Sequence, residues 1–356
     1  MAVGQSNGAS DLTTMLRAVV EPGLGARLEE VAVPAPAAGE VLVRSALVGI
    51  CGSDTHAVAG HHPFLTAPYV PGHEATGVVA ALGADVDRFT VGQRVLLKPN
   101  VACGACANCV AGRTNACESL AWIGCDSSQV LAGAMAEYFV APAGNLYPVP
   151  DGLDDREAAL VECLATPVHA ARIAGDLTGT RAVVLGAGTI GLLCVVAALH
   201  AGAKAVVVTD MEQTKIDRAM RCGALGGVLA SAQDLELGVR SLLGGPADVV
   251  FDCVASERSL AQAVGVIRRA GTLLVVGVPP RPAPINLPFI QDWELRVQGC
   301  AAYTEGDMVT AIEIAVAGGV PAAELVSGSY GLEDVAQAFL AAAADTSGKV
   351  MVTPAR

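Results

Sequence analysis

The chain has 356 residues, enough for two domains that each bury a core, and a composition 53% apolar and 16% charged excludes a disordered or fibrous protein. A formal net charge of -13 removes the attraction to phosphate backbones that clustered Lys and Arg provide, so nucleic acid is not expected as a partner. Residues 1–14 lack the basic start and apolar core of a secretory signal and read as a flexible tail, which predicts a cytoplasmic protein.

From Met15 come short β-like pieces, MLRAVV, EVLVRSALVGI, GVVAALG and RVLLKP, separated by Pro and Gly, with few helical stretches before Asp154. From about Pro167 helix and strand alternate: PVHAARIAG, RAVVLG, TIGLLCVVAALHAG, AKAVVVTD, QTKIDRAMRCG, then DVVFDCV and GTLLVVGV. That alternation predicts parallel βαβ units in an open, doubly wound sheet. After Gly299 follow two amphipathic helices, DMVTAIEIAVAG and LEDVAQAFLAAAAD, and a closing strand, KVMVTP. Residues 182–199 form the most apolar run, but glycines divide it into a buried strand and a buried helix, so no membrane association is expected.

The segment RAVVLGAGTIG places Gly186, Gly188 and Gly191 in the G-x-G-x-x-G arrangement directly after a strand and at the start of a helix. Gly186 allows a tight turn, Gly188 lets the backbone approach a pyrophosphate, and Gly191 lets helix and sheet pack closely. Asp210 ends the next strand, where a carboxylate accepts hydrogen bonds from ribose hydroxyls and repels a 2′-phosphate, which favours NAD over NADP. Lys215, one turn on, is placed to lie along the ribose edge. A bland reading remains, in which the glycines only pack a corner and Asp210 caps the next helix.

Eleven cysteines without an export signal point to thiols used as metal ligands or small core residues. Cys103, Cys106, Cys109 and Cys117 fall within GACANCVAGRTNAC, a stretch with no hydrophobic core of its own. Four thiolates at this spacing can close a tetrahedral shell around a structural zinc, with an iron–sulfur cluster as the alternative. Three further groups are spread along the chain: Cys51 in GICGSDTH, His73 with Glu74 in VPGHEATG, and Glu162 in LVECLATP. A thiolate, an imidazole and a carboxylate together would suit an open, catalytic zinc, with Asp54 or Glu74 orienting the ligands and Cys163 as an alternative to Glu162.

These pieces, with G-A-x-A-E-Y at Gly133 to Tyr138 and G-A-G-x-I-G, resemble the zinc-containing medium-chain dehydrogenases, which include alcohol, sorbitol, butanediol and threonine dehydrogenases. The resemblance covers nearly the whole chain from Met15. It implies an α/β protein with a GroES-like, mostly β catalytic domain (15–166 and 302–356, the zinc lobe at about 100–118) interrupted by a Rossmann cofactor domain (167–301). Carried over by position, it implies Cys51, His73 and Glu162 as catalytic zinc ligands with Glu74 as an occasional ligand, and two zinc ions per chain. It further implies Ser53 as a proton-relaying hydroxyl, His56 as the relay's outlet to solvent, Thr166 beside the nicotinamide and Ile190 in the cofactor turn. Residues Phe64, His61, His62, Trp122, Ile123 and Tyr303 fall where the family's pocket is often lined. The expected activity is NAD-linked interconversion of an alcohol, preferably a secondary alcohol or polyol, with its carbonyl, in a homodimer or homotetramer. A carbonyl, iminium or enal reductase, and a noncatalytic NAD-binding protein, are the alternatives.

Overall fold

The computed structural model describes residues 13–23, 25–279, 281–344 and 348–354. The expected tail therefore lies outside the described residues up to position 12, and Thr14 already opens the first strand. β1 (Thr14–Glu21) and β2 (Gly25–Ala32) pair as an antiparallel hairpin. β3 (Glu40–Gly49) leads through α1 (Gly52–Val58) to β4 (Glu74–Leu82) and β5 (Arg94–Leu97). A lobe follows, with β6 (Asn100–Val101), α2 (Ala107–Val110) and β7 (Ala121–Trp122), before β8 (Tyr138–Pro142) and β9 (Leu146–Pro148).

The long α3 (Asp155–Ala174) joins this β-rich part to the alternating one. There β10 (Arg181–Leu185), α4 (Thr189–His200), β11 (Ala205–Asp210), α5 (Gln213–Arg221) and β12 (Gly226–Leu229) form the first half. The second half comprises α6 (Leu235–Leu243), β13 (Ala247–Asp252), α7 (Glu257–Val266), β14 (Ile267–Val275), α8 (Leu287–Asp292) and β15 (Arg296–Gly299). The chain closes with α9 (Glu305–Val316), α10 (Ala322–Leu325), β16 (Val326–Gly331), α11 (Val335–Ala344) and β17 (Lys349–Thr353).

The alternating part is a parallel sheet of order β12-β11-β10-β13-β14-β15. β10, β11 and β13 are largely apolar because helices cover both faces, and successive side chains part accordingly. Val184, Val206 and Val208 pack with α4 and α5, whereas Val183, Leu185 and Val207 pack with α6 and α7. The strand order reverses between β10 and β13, which opens a crevice at the carboxyl ends of these strands. The other sheet runs β16-β17-β3-β4-β5-β9, with β8 on β3. The last strand is thus inserted beside β3, where Met351 faces Gly49 and Val352 faces Val48. Among the described residues no helix is long and apolar enough to cross a membrane.

α3 begins earlier than the change of texture at Pro167 suggests. Asp154 accepts the Glu157 amide while Glu157 returns a bond to the Asp154 amide, a capping box that starts the helix. Pro167 lies inside the helix and does not end it. The change of texture therefore falls in mid-helix, and Glu162 and Cys163 project from its buried first half.

The far end of α3 is locked to α9 by a buried carboxylate. Asp307 accepts from Arg172 Nε at 2.6 Å and pairs with His169 Nδ1 at 2.8 Å, and Thr304 donates its amide and hydroxyl to it. Burial alone would raise the Asp307 pKa, but His169, Arg172 and Thr304 together hold it well below the carboxylate range. Asn115, from the four-cysteine lobe, meets His169 Nε2 at 3.2 Å and donates to the Ala301 carbonyl. Replacing Asp307→Ala strands Arg172 and His169, and a loss of about 3 kcal/mol is expected, read as a lower urea midpoint at pH 7. A depressed carboxylate stabilises above its unfolded pKa, so the difference from wild type shrinks as pH falls below about 4.

Candidate functional site

The nucleotide turn sits at the crevice of the parallel sheet. Gly186 has φ +89, a conformation closed to side chains, and a Cβ on Gly191 would lie 1.8 Å from the Gly186 carbonyl oxygen. Gly188 caps α4 and a Cβ there would meet nothing within 4 Å, so the helix N-terminus faces open space suited to a diphosphate. Asp210 ends β11 beside this turn and accepts the Ala187 amide at 2.8 Å. Ile190 is half-buried against the core, and Lys215 turns its Nζ to Glu212 at 2.9 Å.

The four-cysteine lobe closes on itself. The sulfurs of Cys103, Cys106, Cys109 and Cys117 all lie within 4.8 Å of one another. Backbone N–H groups point at them, from Cys103 and Ser119 to Cys117 and from Cys106 to Cys103. Amides of Glu118 and Cys109 push the Cys106 thiol down to about 6, whereas burial pushes Cys109 up to about 12. Four converging sulfurs with no other donor fit a closed, thiolate-bound structural metal.

The second donor group gathers residues from β3's end, β4 and α3. Cys51 caps α1, His73 immediately precedes β4, and Glu74 opens it; their donor atoms lie within 4.8 Å of one another. Glu74 also converges with Glu162 and Cys163 of α3. His73, Glu74, Glu162 and Cys163 are buried and Cys51 is half-buried. Mixed sulfur, nitrogen and oxygen donors that converge without filling a tetrahedron with thiolates fit an open zinc site.

Burial pushes the Glu162 carboxyl up to about 7, with Glu74 adding to the rise, and it accepts a 2.7 Å bond from the buried Tyr303 hydroxyl. Burial raises the adjacent Cys163 thiol well above its usual range. Glu74 Oε1 receives Lys349 Nζ at 2.6 Å, both side chains being at most 5% exposed. Burial opposes both charges, yet Lys349 holds Glu74 below its usual pKa, while Cys163 and Glu74 hold Lys349 well above its own. Glu74 Oε2 is buried without a hydrogen-bond partner among the described residues.

Ser53 and His56 lie one turn apart on α1, the first half-buried and the second exposed. Thr166 is half-buried on α3, and its carbonyl lies 3.8 Å from Cys300 Sγ. Trp122 stands edge-on to His73 at 6.2 Å, and Phe64 is 86% exposed. Sequence reasoning passed over Cys125, whose sulfur is 3.4 Å from His73 Nδ1, and Lys349. The GCD and GKV contexts carry no local pattern that marks either one.

Residues 37–151 match the alcohol dehydrogenase GroES-like domain and residues 189–317 the zinc-binding dehydrogenase domain. Sorbitol dehydrogenase of Bacillus subtilis strain 168 is 32% identical over 338 residues, 93% of this chain and 94% of that protein. A chain from Sinorhizobium meliloti 1021, described as a zinc-binding dehydrogenase and bound to NADP, superposes with a TM-score of 0.88 at 31% identity, over 96% of this chain and 99% of its own. The 2R,3R-butanediol dehydrogenase of Bacillus subtilis superposes with a TM-score of 0.87 at 28% identity, over 96% and 99%. The chain belongs to the zinc-dependent medium-chain dehydrogenase family, with its GroES-like and Rossmann-type parts, and is an oxidoreductase.

The buried ion pair gives a direct test of how this pocket is held. Lys349→Met leaves Glu74 charged and unpaired, and a loss of about 3 kcal/mol is expected in urea unfolding. The double variant with Glu74→Gln should lose less than Lys349→Met alone, a non-additivity that a double-mutant cycle reads.

Proposed function

We propose that this chain is an NAD-linked, zinc-dependent dehydrogenase interconverting a secondary alcohol or polyol and its ketone or aldehyde. The observation that carries the reading is a pair of donor groups that share Glu74, one with Cys51 and His73 and the other with Glu162 and Cys163, a mixed donor set that is mostly buried. Zinc bound there would act as a Lewis acid toward an alcohol or carbonyl oxygen and lower the hydroxyl pKa. The nicotinamide would carry the redox chemistry, Thr166 lying beside its ring. Cys51, His73 and Glu162 hold the metal, and Glu74, anchored by Lys349, stands behind it. Ser53 takes up the substrate's hydroxyl proton, and His56, exposed one turn on, delivers it to water.

Gly186, Gly188, Ile190 and Gly191 cradle the dinucleotide, and Asp210 selects NAD by repelling a 2′-phosphate. Lys215 steadies this edge. Cys103, Cys106, Cys109 and Cys117 hold the second zinc. The catalytic part comprises residues 15–166 and 302–356 and the cofactor part 167–301, in a cytoplasmic enzyme whose eleven cysteines are all free thiols. β15 is an edge strand with Val297 38% exposed, which suits pairing with a second copy in a homodimer or homotetramer. The reductase and noncatalytic alternatives are not favoured, since relatives include sorbitol and butanediol dehydrogenases.

Metal-quantified protein is expected to carry about two zinc ions per chain, one fewer in Cys106→Ser, and to form NADH from polyols or secondary alcohols faster than NADPH. Absence of oxidation across such a panel, with reduction of enals intact, would overturn the reading. Ser53→Ala should lower kcat by about 10²–10⁴ while leaving NAD affinity unchanged, and equal losses in both would remove Ser53 from the relay.

A further inference from the structure

After β7 the chain turns through Ile123 and Gly124 to Cys125. Gly124 has φ +83, and a Cβ there would come within 2.8 Å of the Gly72 backbone and 3.0 Å of the His73 nitrogen. The loop is thus laid on the backbone that carries His73. It is held there by bonds from Ile123 N–H to the Pro99 carbonyl and from Gly124 N–H to the Leu131 carbonyl. Two side chains of this short loop meet the same imidazole: Trp122 edge-on, at 85° between rings, and the Cys125 sulfur 3.4 Å from Nδ1.

A metal-binding histidine ordinarily gives its second N–H to a carboxylate, a carbonyl or water, and that bond sets ring orientation and tautomer. Asp54 lies close enough for this task, since its carboxylate, His73 and Cys125 place donor atoms within 4.8 Å of one another. The side-chain contact of His73 Nδ1 nevertheless runs to the Cys125 sulfur, and the bonds Asp54 accepts come from other donors. Oδ1 accepts the Tyr69 hydroxyl at 2.8 Å and Oδ2 the Cys51 amide at 3.0 Å. His73 therefore belongs to two donor groups at once, one with Cys51 and Glu74 and the other with Asp54 and Cys125.

We propose that Cys125 is a positioning residue for the open metal site: its sulfur accepts the Nδ1–H of His73 and so presents Nε2 toward Cys51 and Glu74. The inference rests on the reading of Cys51, His73 and Glu162 as metal ligands.

The test uses full-length holoenzyme with Cys125→Ala and Cys125→Ser, the four-cysteine metal serving as internal reference for folding. Zinc affinity at the open site is read by chelator competition, and a hybrid with zinc in the lobe and cobalt in the open site is read by its sulfur-to-cobalt absorption. Cys125→Ala is expected to weaken the open site by about 10–100-fold. Cys125→Ser should recover most of that loss, because its hydroxyl oxygen can accept the same N–H. The absorption from Cys51 should persist in both variants. Unchanged affinity in the alanine variant, or equal losses in both, overturns the proposal, as does a halved absorption, which would make Cys125 itself a ligand. Failure of the underlying site is seen separately: wild-type protein would then bind metal at the lobe alone, whatever stands at position 125.

Discussion

A carboxylate buried among metal donors has to be neutralised from inside the fold, and here the counter-charge comes from the last strand. Lys349 reaches Glu74 across 275 residues of sequence, with both side chains almost wholly shielded from water. Removing two charges from water is costly, and the pair returns that cost only because the geometry is close and the partners are fixed on two strands of one sheet that flank β3. β17 is fixed in turn by its place between β16 and β3, and the Ile50 amide, next to Cys51, bonds to the Val350 carbonyl. The position of Cys51 and the charge state of Glu74 thus depend on the same strand.

α3 performs the complementary task from the other side. Its first half supplies Glu162 and Cys163 to the pocket, and its second half supplies His169 and Arg172 to Asp307 of α9. The apolar face between them belongs to a core that also takes in α4 and the strands of the parallel sheet. Displacement of either end of the helix is therefore felt at the other. Asn115 and Asn100 add the lobe to this frame, through Ala301 and the Tyr303 carbonyl, while the Tyr303 hydroxyl holds Glu162. A rigid helix with polar anchors at both ends is a means of keeping a donor atom still while a cofactor binds nearby.

What the sequence disclosed follows from the range of each interaction. The glycine turn, Asp210 and the four cysteines have local signatures, because strand, turn and helix follow one another directly and the lobe closes on itself. Cys51, His73 and Glu162 were legible only through the short motifs around each, since nothing local says that they meet. Lys349 and Cys125 have no such context, and their partners stand 275 and 52 residues away. α3 was read too short because proline disfavours helix interiors, while the Asp154–Glu157 capping box that starts it lies upstream of the apparent change in texture.

The insertion of β17 beside β3 also bears on how the molecule comes into being. β3 pairs with β4 on one side and with β8 over Glu40–Arg44 on the other, yet its Val48–Gly49 end lacks a second partner and Glu74 its counter-charge until β17 is in place. The dinucleotide sheet, whose strands are all contained between residues 181 and 299, can close well before that moment. The donor pocket therefore depends on a strand that the dinucleotide sheet does without.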